Sequence, residues 1–158
     1  MLVMGKPGTA GAGKGVLPVM RDDAVVATMQ ASNWKEAATA VVDGQDWIFA
    51  RRTRELTGRW VQDPEDTARM RARQASAWRG TWTLDLEGTA VDMRPASVWR
   101  GTHRYLRDGG QIAQSSSTGI WSSRPSLDAD DALPLHQQVF LLWLELLLMR
   151  RAAAGAAG

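Results

Sequence analysis

The chain has 158 residues and no cysteine. That length suits one domain with a proper core, and the missing thiols exclude disulfides and thiolate metal sites. Formal net charge is +2 at a sequence pI of about 9.5, with the cations mostly Arg, a residue that suits phosphate binding and that GC-rich coding also favours. Two His without Cys argue against a catalytic zinc, and no cofactor is expected.

Residues 1–21 are expected to form a flexible tail. Gly5 to Gly15 reads G-K-P-G-T-A-G-A-G-K-G, rich in Gly and without periodicity. The opening Met1-Leu-Val-Met-Gly-Lys lacks the apolar region of a signal peptide, so a cytoplasmic location is expected. Gly8, Gly13 and Lys14 come close to a phosphate-binding loop. Gly15, however, stands where Ser or Thr would meet magnesium, and no buried strand precedes it.

From Asp22 onward the chain reads as hairpins. Ala24–Ala31 is a mixed apolar strand, and Lys35–Val42 and Gln45–Arg51 flank Asp43-Gly44, the strongest two-residue hairpin signal present. Arg54–Gln62 leads to a turn at Asp63-Pro64-Glu65-Asp66. In Thr67–Gln74 the residues Arg69, Arg71 and Arg73 point one way and Met70 and Ala72 the other. Ala77–Leu86 turns at Glu87-Gly88 into Thr89–Arg94. Val98–Leu106 turns at Asp108-Gly109-Gly110 into Gln111–Ser115, and Gly119–Ser123 is a last short strand before a linker over Arg124–Ala132.

Two hairpins repeat. Ala75-Ser-Ala-Trp78-Arg79-Gly80-Thr81 matches Ala96-Ser-Val-Trp99-Arg100-Gly101-Thr102, and Glu87-Gly88 matches Asp108-Gly109 in register. Such units cannot bury an apolar face alone, and repeated hairpins that close remove exposed sheet edges, so the repeat predicts a barrel. Gly80 and Gly101 within strands read as bulges. Eight Trp against one Tyr and two Phe read mainly as core, Trp78 and Trp99 included. Clustered exposed rings would instead indicate stacking on a base or sugar.

Val139–Met149 is apolar at every position except Glu145 and is closed by Arg150 and Arg151. A helix apolar all round must be surrounded by protein or lipid. Eleven residues rise only ~16 Å, whereas a membrane span needs about 20 apolar residues. A helix over about 134–151, capped by Asp130 or Asp131, is therefore expected to thread the barrel. Phe140, Trp143, Leu144 and Leu147 would be core, and 152–158 a disordered tail. Glu145 must then be paired, protonated or able to reach an opening, by an ion pair with a barrel Arg or by escape to the barrel mouth. The fold class read from these elements is mostly β: an antiparallel β-barrel over 22–151 enclosing one C-terminal helix.

Successive hairpins, the acidic Asp128-Ala-Asp130-Asp131, Leu133-Pro134 and the ending Phe140-Leu-Leu-Trp-Leu resemble the Tubby C-terminal-like superfamily, which includes phospholipid scramblases and LURP-one-related proteins. In that superfamily a closed β-barrel encloses a hydrophobic C-terminal helix. The resemblance implies a non-enzymatic, membrane-associated module that binds phospholipid head groups through basic residues. It places Asp128, Asp130 and Asp131 where scramblases carry a proposed calcium segment, although this spacing makes a poor calcium loop.

On the residues themselves, the Arg69, Arg71 and Arg73 row is the leading anion- or lipid-binding candidate, with Arg51, Arg52 and Arg54 second. The expected partner is an anionic membrane surface and not a nucleic acid. Two alternatives stand beside this binding or scaffold role. A tail-anchored protein would expose Val139–Met149. A hydrolase would need a polar pocket near His103, which occupies the place of Trp82 in the repeat.

Overall fold

The computed structural model describes residues 1–97, 99–119 and 123–157. Period-2 burial makes the strands. In Ala37–Val42, Ala38, Ala40 and Val42 point inward while Thr39 and Val41 are exposed. The strands are β1 (Leu2–Met4), β2 (Leu17–Arg21), β3 (Ala24–Ala31), β4 (Ala37–Val42), β5 (Gln45–Arg52), β6 (Glu55–Trp60), β7 (Met70–Ser76), β8 (Thr81–Leu86), β9 (Thr89–Ser97), β10 (Thr102–Arg107), β11 (Gly110–Thr118) and β12 (Arg124–Ala129). They are followed by the helix α1 (Leu135–Ala157).

The twelve strands form a closed antiparallel meander in which each pairs with its sequence neighbours. β1 closes the ring against β12 through Leu2↔Leu127 and Val3↔Ser126. The fold class expected from the sequence, a hairpin barrel with one C-terminal helix, is the one observed. Four two-residue turns, Asp22-Asp23, Asp43-Gly44, Glu87-Gly88 and Asp108-Gly109, have positive φ at both positions. That is the backbone a type I′ hairpin turn needs.

Residues 1–21 are not a flexible tail. Leu2, Met4, Leu17 and Val19 face the core, and only 5–16 is a loop. That loop is tied by hydrogen bonds from Gly5 N to Pro18 O at 2.7 Å and from Gly8 N to Val16 O at 2.9 Å. A Cβ on Gly5 would lie 2.6 Å from Pro18 Cγ, so this glycine serves close approach. Gly80 and Gly101 are turn residues with φ of +62° and +58°, not bulges. The bulge-like register shifts fall elsewhere, for example between Gln74 and Ser76. The strand expected at Gly119–Ser123, with Trp121, lies largely outside the described residues.

The helix runs inside the ring. Val139 to Leu144 are fully buried, and Leu147 is buried as well. Phe140 and Trp143 pack on Phe49 of β5 at ring-centroid distances of 5.5 and 5.4 Å. The helix also continues through 152–157, where a disordered tail was expected. Its first turn is closed by Gln138 N donating to Pro134 O at 3.1 Å. Asp130 and Asp131 lie too far upstream of Leu135 to act as the expected cap. No helix among the described residues is long and apolar enough to cross a membrane. The tail-anchor alternative needs Val139–Met149 in contact with lipid, whereas the barrel wall already covers most of that segment.

Gly58 of β6 shows how closely wall and helix fit. A Cβ there would lie 2.9 Å from Met70 Cε, 3.1 Å from Phe140 and 3.2 Å from Phe49. Gly58→Val should overpack this contact and cost about 1–3 kcal/mol. Phe140→Ala should cost about 3–5 kcal/mol by leaving a cavity. Chemical denaturation of both variants measures these values.

Candidate functional site

A meander sends alternate connections to opposite ends of the barrel. The β2–β3, β4–β5, β6–β7, β8–β9 and β10–β11 connections and the β12–α1 link share the lower end, where α1 begins. The β1–β2, β3–β4, β5–β6, β7–β8, β9–β10 and β11–β12 connections share the upper end, where α1 finishes. Side-chain contacts agree. At the lower end His136 and Gln137 meet Glu87 of the β8–β9 turn, and Arg21 donates to Gln138 at 3.1 Å. At the upper end Arg150 donates to Ser32 O at 2.8 Å, and Arg151 holds Glu36 with a 3.0 Å bond from Nε.

The two ends differ in chemistry. Each lower connection carries carboxylates: Asp22 and Asp23, Asp43, Asp63 with Glu65 and Asp66, Glu87, Asp108, and Asp130 with Asp131; Arg69 is their one cation. The upper connections carry Lys6, Lys14, Lys35, Arg54, Arg79 and Arg100, with Glu36 their one carboxylate. Arg151 satisfies Glu36 and holds its carboxyl below the ordinary value of 4.5; burial opposes that shift, and Arg51 assists it.

The expected arginine row does not stand free on the surface. Arg69 is bound by Asp63 at 2.7 Å and lies 3.9 Å from Glu87. The Arg69 hydrogen bond draws the Asp63 carboxyl below its usual range. Arg71 and Arg73 share the two oxygens of Glu55, at 3.1 and 2.8 Å. Register explains this: Glu55 of β6 pairs directly with Arg73 of β7, so the row meets a facing acid. Arg51 reaches Glu36 only at 3.8 Å. Arg52 and Arg54 form no ion pair among the described residues. The structure nonetheless gathers most of both clusters. Arg51, Arg52, Arg54, Arg71, Arg73 and Arg151 line one groove of about 830 Å³ that extends from the β5–β6 turn to the β6–β7 connection, with Glu55 and Asp66. Arg69 lies outside it.

Trp78 and Trp99 occupy equivalent positions, as the repeat requires, but in turns. They are 97% exposed, and Trp34 in the β3–β4 connection is 95% exposed. A core role is therefore wrong for these three, whereas Trp47, Trp82 and Trp143 are buried. The A-S-x-W-R-G motif is a turn motif: Ser76 Oγ accepts from Arg79 N at 3.2 Å, and Gly80 supplies positive φ. Ser32 Oγ does the same for Trp34 N and Lys35 N, at 3.2 and 3.1 Å. All three rings project from the upper end.

Glu145 is paired, though not with Arg. Tyr105 OH donates to it at 2.5 Å, and His103 Nδ1 lies 2.9 Å from its other oxygen. Burial, with the Glu145 carboxylate beside it, pushes the Tyr105 hydroxyl well above its ordinary value of 10.0, so the phenol keeps its proton to donate. His103 and Glu145 line a groove of about 790 Å³ beside Leu146, Leu148 and Met149. Asp128, Asp130 and Asp131 are exposed. No cluster among the described residues gathers three potential metal ligands, so the calcium expectation has no assembled site.

No protein-family model, curated protein or solved structure matches the chain.

Two outcomes follow from this geometry. Trp78→Ala and Trp99→Ala should each change stability by no more than about 0.5 kcal/mol in denaturation. Because the folded Glu36 pKa lies below 4.5, its bond to Arg151 contributes fully above that pH and is lost as pH falls through the depressed value. Protection factors of amides near the end of α1, corrected for intrinsic exchange, should therefore fall on acidification. Glu36→Gln should abolish that pH dependence and cost at most about 1 kcal/mol.

Proposed function

We propose that this chain is a small barrel of tubby-like architecture that acts as a non-enzymatic binding module for anionic phospholipid head groups. The observation that carries the reading is the groove shared by Arg51, Arg52, Arg54, Arg71, Arg73 and Arg151. Glu55 offsets part of that charge, and Arg52 and Arg54 remain for a ligand. Arginines from β5, the β5–β6 turn, β7 and α1 line it, and guanidinium groups suit bidentate capture of phosphate. The closed barrel around a hydrophobic helix accords with the resemblance that suggested such a ligand.

Basic residues near an anionic surface contribute about 1 kcal/mol each. Arg52→Gln with Arg54→Gln should therefore weaken binding to phosphatidylserine-containing vesicles roughly 30-fold in co-sedimentation at low salt, without unfolding. Arg69→Gln, outside the groove, should leave binding nearly unchanged. Wild-type protein that ignores such vesicles, or a double variant that binds them equally, would remove the basis of this reading.

A second reading, a hydrolase, has one observation in its favour, the pairing of buried Glu145 with half-buried His103 in the lining of a groove. The neighbouring hydroxyls have other partners: Ser115 Oγ accepts from His103 N at 2.8 Å, and Ser116 bonds Ser126 at 2.9 Å. Turnover of p-nitrophenyl esters that is abolished by His103→Ala would favour it.

A further inference from the structure

The upper end combines three observations that the arginine groove does not require. Trp34, Trp78 and Trp99 are 95%, 97% and 97% exposed. Each is followed by a cation, Lys35, Arg79 or Arg100. Their connections are distributed around one rim of the barrel, with the β5–β6 turn and its Arg52 and Arg54 between them. Single exposed aromatics are ordinary, but three on the tips of one end are not. Hydrogen-bonded Ser turns hold two of these tips, so their rings are presented in advance of any contact.

We infer that the upper end docks end-on against an anionic bilayer, with Trp34, Trp78 and Trp99 entering the head-group layer and Lys35, Arg79 and Arg100 meeting lipid phosphates. This rests on the anionic-surface reading and adds to it the contact surface and the orientation. Trp prefers the membrane–water interface, where the ring is apolar and the N–H stays wet. A basic upper end and an acidic lower end give the barrel a charge polarity that turns this face toward an anionic surface. The wall over β8 to β10 is unsuited to the bilayer interior, since Asp85, Asp92, Arg94 and Arg104 are exposed along it. Tips around a rim define a plane, which fits a bilayer. A single-stranded nucleic acid would instead want a continuous track of rings in a groove.

The triple variant Trp34→Ala/Trp78→Ala/Trp99→Ala changes only exposed turn side chains and should fold. The test is co-sedimentation of full-length protein with 3:1 phosphatidylcholine:phosphatidylserine vesicles, with quenching of Trp fluorescence by brominated lipid. The expected result is wild-type binding with strong quenching, and a loss of about a hundredfold in affinity, together with that quenching, in the triple variant. Equal binding by the triple variant without a change in quenching would overturn tip insertion while leaving the arginine reading intact. Failure of the wild type to bind at low salt would overturn both. Binding of an oligothymidine in place of vesicles would overturn the inference, as would a wild-type dimer that the triple variant dissociates without any change in vesicle binding.

Discussion

The constraint on which the structure depends is that neither the sheet nor the helix can bury its apolar surface alone. α1 is apolar around its whole circumference from Val139 to Leu144, so a one-sided contact would leave part of it in water. The twelve strands close into a ring without a free edge, and the lumen they enclose is occupied by α1. Each element completes the other. At Gly58 the wall gives up a side chain where an added Cβ would meet Met70, Phe140 and Phe49. β1, only three residues long, joins β12 to β2 and closes the ring.

Inside such a lumen one polar residue must be handled locally. Glu145 sits in the buried run of α1, where an unpaired carboxylate would be costly. β10 supplies the answer at alternate positions, His103 and Tyr105, which face inward together. His103 stands where the sister repeat has Trp82, so one hairpin copy contributes bulk and the other contributes hydrogen bonds. Where charge alone suggests an arginine, the barrel supplies a phenol and an imidazole.

Much of the fold was legible because its signals are local. Acid-Gly turns flanked by alternating residues gave the hairpins, and the uninterrupted apolar run gave a helix that needed enclosure. What was not legible depended on distant partners. β1 and β2 are hidden by a Gly-rich loop and by Pro18, and only pairing with β12 and β3 makes them strands. The pairing of Arg71 and Arg73 with Glu55 needs the β6–β7 register. Trp78 and Trp99 mislead for a nearer reason: W-R-G reads as strand with a bulge. The Ser two residues before each Trp and the Gly two residues after it are the signature of a turn, and a residue in a turn has no inward face.

The charge polarity of the barrel has two separate origins, and only one of them speaks to function. At the lower end four connections are two-residue turns with positive φ at both positions. Asp tolerates that backbone better than most residues, and Gly best of all. Acid-Gly turns there thus follow largely from hairpin geometry, and their carboxylates need no ligand to explain them. The upper connections are mostly longer and are governed by Ser hydrogen bonds and single positive-φ glycines. Nothing in that geometry requires Lys35, Arg79 or Arg100, and nothing in it requires Trp beside each of them. Turn chemistry can therefore account for an acidic lower end, but not for a basic, tryptophan-tipped upper end. It is this unexplained half of the asymmetry that bears on an anionic partner.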